Sequence, residues 1–297
     1  MIALLKSIVK FILFLLDFRW ESNKEIVTSD DSTNDPEVPV EEPIPVVQEP
    51  IEESIIVIDK PIEVPVEPVE KPKPIVVTPT KNLIITKFLD PKQYVHEKVK
   101  FNQIVLHHTA GGSAQSTIEY WNSTGERVGT HFTIDRDGTV YQTVPFDAWI
   151  YHLYVGSPSN KIDKKYRDIG SAYDRQSIGI ELCNYGFLKP SNGKYLNYAN
   201  GKVDTSKVTK LDKPYKGFLY WEDYTDEQIE SLKYLLNYLL TLFPHIPYEK
   251  NSFSSIFDIN KKALDMVPGI YSHTSYRTDK FDIYPNTKII NLLNNLK

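Results

Sequence analysis

Apolar and polar positions are arranged in three different ways along this chain. Residues 1–16, MIALLKSIVKFILFLL, are apolar except for Ser7 and two lysines, and Lys6 and Lys10 lie four apart on one helical face. This predicts a membrane-seeking helix within segment 1–24, its apolar run 1–16 being shorter than the roughly 20 residues that a span requires. Asp17, Phe18, Arg19 and Trp20 follow it, so no small-residue cleavage site is present. An uncleaved export signal or an interfacial anchor fits best, and an ordinary amphipathic helix packed on the domain is the other reading.

From 25 to 80 the periodicity disappears. Eleven of the twenty prolines fall between Pro36 and Pro79, in pieces such as VPVEEPIPVV. Proline removes backbone donors and drives the preceding residue out of the helical region, so this stretch reads as a disordered, extended Pro/Glu/Val-rich linker. At about 3.1 Å per residue it reaches more than ~150 Å when extended. The run IIVI at 55–58 is its one candidate short strand.

From 81 to 297 the pattern is that of a globular domain. Leu83–Phe88 and Gln103–His108 read as strands, and Ser113–Asn122 as a helix with Ile118 and Trp121 facing inward. Thr130–Ile134 and Thr139–Gln142 alternate around Arg136-Asp137-Gly138, a hairpin signal. In the strand Ile178–Cys183, Ile178, Ile180 and Leu182 share one face and Gly179 and Glu181 the other. Residues 186–224, rich in Tyr, Gly, Lys and Asn, show little periodicity and read as an aromatic insertion. Thr225 and Gln228 then form a capping box before the stripe Ile229, Leu232, Leu235, Leu236, Leu239 and Phe243. An irregular stretch, Ser272–Pro285, leads to a short terminal helix at Asn286–Leu293. Strands interleaved with helices make this an α/β domain with a central mixed sheet flanked by helices.

Composition narrows the picture. The net charge of −5 supplies no basic field, which argues against nucleic acid as a partner. The single cysteine, Cys183, excludes an intramolecular disulfide framework and a Cys-rich zinc module, and it reads as a small packed residue.

The candidate chemistry gathers around QIVLHHT, residues 103–109. An apolar strand ending in two histidines delivers imidazole to its C-terminal end, where open α/β sheets keep their sites. Side chains alternate, so His107 lies with Val105 and His108 with Leu106, and only one of the two should face a metal; the plainer reading packs both in the core. His273 and Asp282 stand nine residues apart, with Asp279 and Lys280 between them. Imidazole nitrogen and carboxylate oxygen suit Zn²⁺, and His107, His273 and Asp282 would complete a three-ligand site with an open position.

Four stretches taken together carry a family resemblance: IVLHHTAGG at 104–112, GTHFTIDRDGTVYQ at 129–142, SIGIEL at 177–182 and SHTSYRTDKFDIYP at 272–285. The chain from 81 onward resembles the zinc-dependent N-acetylmuramoyl-L-alanine amidases of the T7-lysozyme and peptidoglycan-recognition-protein superfamily. The resemblance implies His107, His273 and Asp282 as zinc ligands, since Lys280-Phe281-Asp282 reproduces the family's lysine two residues before the third ligand; Asp279 is the competitor. It implies Glu181 as the catalytic acidic residue, and Thr130 before His131 favours this Glu-type mechanism over a Tyr-type one. Glu181 would take the proton of a zinc-activated water attacking the lactyl amide and return it to the leaving L-alanine amine, while Lys280 faces the developing oxyanion. His131 and His152 become candidates for substrate or supporting contacts, His152 through the AWIYH element at 148–152.

The expected protein is therefore a monomeric peptidoglycan hydrolase for cell-wall lysis or remodelling, endolysin-like or autolytic. It would be membrane-anchored or exported to the cell envelope or, if viral, found at the host envelope or in the virion. The runner-up is a non-catalytic peptidoglycan-binding module, and a membrane-tethered docking protein is more distant.

Overall fold

The apolar runs read from the sequence assemble into one sheet with the histidine strand near its edge. The computed structural model describes Ile55–Ile56, residues 84–247 and residues 253–296. The expected apolar helix at 1–24 lies outside the described residues, as does the linker apart from Ile55–Ile56. No helix among the described residues is long and apolar enough to cross a membrane.

In chain order the strands are β1 (Ile55–Ile56), β2 (Ile84–Thr86), β3 (Val95–His96), β4 (Gln103–His108), β5 (Phe132–Ile134), β6 (Val140–Gln142), β7 (Ala148–Trp149), β8 (Ser177–Leu182), β9 (Phe187–Ser191), β10 (Lys194–Leu196), β11 (Lys202–Val203), β12 (Val208–Tyr215), β13 (Phe218–Glu222) and β14 (Gly269–Ser272). The helices are α1 (Ala114–Ser123), α2 (Lys164–Arg167), α3 (Ala172–Arg175), α4 (Asp226–Leu242), α5 (Lys261–Leu264) and α6 (Thr287–Asn294). The central sheet runs β1-β2-β6-β5-β8-β4-β14, six strands of the domain plus the two-residue β1 at the edge. It is mixed, as expected. Strands β14, β4, β8 and β5 are mutually parallel neighbours, whereas β5 and β6 form the antiparallel hairpin around Arg136-Asp137-Gly138.

One face of the sheet is covered by α4. Leu232, Leu235, Leu236 and Leu239 of α4 are fully buried in one cluster with Ile104, Leu106, Phe132, Ile134, Ile178, Ile180 and Leu182. Each such leucine contributes on the order of 2 kcal/mol. The α4 capping box is present in full: the Thr225 hydroxyl accepts from the Gln228 amide, and the Gln228 side chain accepts from the Thr225 amide. Ile118 and Trp121 of α1 face inward as predicted, into a smaller cluster with Leu89, Val144 and Ile150. Cys183 is buried and packed.

Residues 186–224 depart from expectation. They form a second, five-stranded antiparallel sheet ordered β11-β10-β9-β13-β12. Most of its side chains are exposed or half-buried on both faces, so no apolar alternation marks the strands. The legible signal was in the turns: Asn192-Gly193 and Lys216-Gly217 close two-residue hairpins with all four residues at positive φ. The stretch Ser272–Pro285, read as irregular, is entered from an unpredicted strand, β14, which ends at Ser272 and runs into a single 3₁₀ turn at His273–Ser275.

Candidate active site

Three adjacent parallel strands bring the site together. His107 of β4 stands in register with Glu181 of β8, and Glu181 in turn with Thr133 of β5. On the other side, Ser272 of β14 pairs with Leu106, so the next residue, His273, continues alongside His107, with their ring centroids 4.6 Å apart. The chain then loops back, and the Thr274 amide donates to the Asp282 carbonyl at 3.1 Å, setting the aspartate beside the two histidines.

Nδ1 of His107, Nδ1 of His273 and Oδ2 of Asp282 lie 3.0 to 3.1 Å from one another. Their surroundings decide which nitrogen carries a proton. The Ser177 hydroxyl donates to the Tyr173 carbonyl at 2.6 Å, so its oxygen must accept from Nε2 of His152 at 2.9 Å. Nδ1 of His152 is then the acceptor for Nε2 of His107, also at 2.9 Å. Nε2 of His273 donates to the Leu153 carbonyl at 3.1 Å. Both Nδ1 atoms are therefore the lone-pair nitrogens. Burial lowers the His273 imidazole to about 3, so it is neutral. Burial works against an Asp282 carboxylate, which His273 and His107 would hold well below the usual range as proton donors.

Three ligand-type atoms this close together, with the far nitrogen of each ring already engaged, are placed to hold a cation. Two imidazole nitrogens and a carboxylate oxygen are a zinc-type donor set, and tetrahedral zinc with bonds of about 2.0–2.1 Å spaces its ligand atoms about 3.3 Å apart. His107, His273 and Asp282 are the only such trio among the described residues. The Asp282–Ile283 peptide that follows is cis.

Glu181 stands on the strand next to His107. Its Oε2 is buried and has no hydrogen-bond partner, as is Thr133 Oγ1 on the same face of the sheet. Burial pushes the Glu181 carboxyl well above its usual range, Asp282 adds to the rise, and Lys280 opposes it. Lys280 is half-buried, and desolvation, followed by Arg277, lowers its ammonium against the pull of Asp282, Asp279 and Glu181.

The remaining candidates fall elsewhere. His108 points to the opposite face, with Nδ1 3.4 Å from the Tyr224 hydroxyl and its ring against Trp221, and burial lowers it to about 4. Asp279 is taken by Arg277, whose Nε and Nη2 donate to its two oxygens at 3.0 and 2.6 Å. His131 is fully buried between the Ala148 carbonyl and the Gly179 amide, a packed strand histidine and not a cleft residue. His152 sits behind His107 with both ring nitrogens engaged, so it supports a ligand and does not reach substrate. Gly179 makes room for it: a Cβ there would lie 2.8 Å from Thr130 Cγ2 and 3.1 Å from His152 Nδ1. Sequence reasoning missed Ser177, Asp174 and the Leu153 carbonyl; only Ser177, inside SIGIEL, carried any signal.

The sequence profile of the Amidase_2 family, N-acetylmuramoyl-L-alanine amidase, matches residues 97–285, which span every element of this site. The chain belongs to this family. It is an N-acetylmuramoyl-L-alanine amidase, a peptidoglycan hydrolase, with a His-His-Asp trio that could hold a metal ion. No curated protein matches it. Among solved structures the amidase is similar to PlyL, at 15% identity and a TM-score of 0.39 over 67% of this chain and 85% of that one. It is similar to the PlyG catalytic domain, at 17% and 0.37 over 66% and 81%. The endolysine N-acetylmuramoyl-L-alanine amidase LysCS from Clostridium intestinale URNW is similar at 16% and 0.35, over 71% and 92%.

Proposed function

We propose that the amidase uses zinc held by His107, His273 and Asp282, with Glu181 as general base and acid and Lys280 as an oxyanion partner. The observation that carries this reading is the buried, partnerless Glu181 Oε2 in register with the metal-site histidine. When bound, the ion supplies Lewis-acid activation of water and of the scissile carbonyl. A carboxyl whose proton affinity is raised by burial is suited to take a proton near neutral pH. Glu181 Oε2 takes one proton from the attacking water as its oxygen bonds to the lactyl amide carbon. It returns that proton to the L-alanine nitrogen as the C–N bond breaks, so the lactyl carboxylate and a free amine leave. The Lys280 ammonium faces the carbonyl oxygen as charge develops there, a contribution of about 3 kcal/mol for such a donor.

The test is mass spectrometry of purified peptidoglycan digested with the full chain. Released stem peptides with free L-alanine amino termini, alongside uncut glycan, are expected. New reducing ends, or binding without release, would replace this reading with a glycosidase or with a non-catalytic binding module.

For location, we propose that 1–24 anchors the monomeric enzyme at the membrane of the cell envelope and that 25–80 is the spacer that lets it reach the wall. The apolar composition of the first and the proline density of the second support this. Truncation to Lys81 should keep activity on soluble muropeptides and abolish vesicle binding; retained vesicle binding would contradict it.

A further inference from the structure

Both histidines of the metal site are held through one dipeptide. His152 accepts from Nε2 of His107 through its Nδ1, and the carbonyl of the next residue, Leu153, accepts from Nε2 of His273. The backbone amides of His152 and Leu153 both donate to a single oxygen, Asp174 Oδ1, each at 2.8 Å. Asp174 is itself fully buried on α3, just ahead of β8, and its Oδ1 accepts from both of these amides. Arg277 Nη1 adds a second donor to the Leu153 carbonyl at 3.3 Å, and Arg277 is in turn fixed by Asp279.

We propose that Asp174 and the dipeptide His152–Leu153 form one positioning unit that orients both histidines of the metal site. A ligating imidazole needs its far nitrogen held, because that bond fixes which nitrogen carries the lone pair and where it points. Here one carboxylate oxygen fixes the height of two successive peptide units. The side chain of the first then aims His107, and the carbonyl of the second aims His273. A shift of this dipeptide misaligns two of three ligands together, which separate supports would not do. The proposal rests on the metal reading of His107, His273 and Asp282.

The test measures zinc affinity of the full chain by competition with a chromophoric chelator, together with imidazole ¹⁵N spectra of the metal-free protein. Asp174→Ala should weaken zinc binding by about 10- to 100-fold. Asp174→Asn keeps the oxygen acceptor and should bind close to wild type, and a loss as large as that of Asp174→Ala would overturn the proposal. Unchanged affinity in folded Asp174→Ala would overturn the proposal. If that variant does not fold, His152→Ala decides instead, with about tenfold weaker binding expected and unchanged binding overturning it. The spectra separate this unit from the metal reading. Wild type should show Nε2–H on both His107 and His273, and the variants should populate Nδ1–H. A wild type that binds no zinc but shows this tautomer pattern removes the metal reading alone, whereas tautomers that do not respond to the variants overturn the positioning unit.

Discussion

The two faces of β4 and β8 differ in a way that locates the chemistry. One face presents Ile104, Leu106, Ile178, Ile180 and Leu182, all fully buried against α4, and its single polar ring, His108, packs against Trp221 and Tyr224. The other presents Gln103, His107, Ser177, Gly179 and Glu181. Polarity alone does not make this second face a site. Gln103 is satisfied throughout, donating to the carbonyls of Ala263 and Val267 and accepting from the Tyr276 hydroxyl, and Ser177 is satisfied by Tyr173 and His152. At the C-terminal end the bonding stops closing. His107, His273 and Asp282 bring three ligand-type atoms together, and Glu181 Oε2 has no hydrogen-bond partner. A buried polar atom without a partner costs about 1–3 kcal/mol, so a cluster of them marks where a ligand and a reaction belong.

The comparison sharpens under substitution. The largest effect should come from Glu181→Gln, which preserves shape and hydrogen bonding but cannot accept a proton: turnover on muropeptide should fall about 100-fold or more with zinc retained. Near-normal turnover would remove Glu181 from the mechanism. Lys280→Ala should also lower turnover, by roughly 100-fold, through the lost oxyanion contact and with zinc in place. Since both groups act on one transition state, the double variant should be less impaired than the product of the two losses, and simple multiplication would show that they act in separate steps. A smaller effect is expected from Gly179→Ala on the same face. Its Cβ would meet Thr130 and His152 at 2.8 and 3.1 Å within a central strand, displacing His152 and weakening zinc binding by about tenfold. Unaltered zinc affinity in that variant would show that His152 does not hold His107 in place.

Much of this was legible because strand periodicity is strict. Parity separated His107 from His108, and it placed Glu181 opposite the apolar set Ile178, Ile180 and Leu182 before any fold was known. The α4 stripe and its capping box were legible for the same reason, since local chemistry decides them. What escaped depends on chain segments meeting across the fold. The second sheet has no one-sided burial to print an alternation, so only its two Gly-containing turns betrayed it. His131 and His152 sit in family-like motifs that suggest the cleft, but only the packed structure shows all their ring nitrogens engaged within the protein. Asp174 was invisible because it acts on backbone amides, and an acceptor for peptide N–H groups needs no particular sequence pattern around its partners.

The most direct test of the two-face account is zinc content and thermal stability measured side by side on His107→Ala and His108→Ala. His107→Ala should lose the metal while folding as before. His108→Ala should keep it and lose about 2 kcal/mol of stability to the cavity left beneath Trp221 and Tyr224. Equal retention of zinc by both variants, or loss from His108→Ala alone, would contradict the assignment of the metal site to the His107 face.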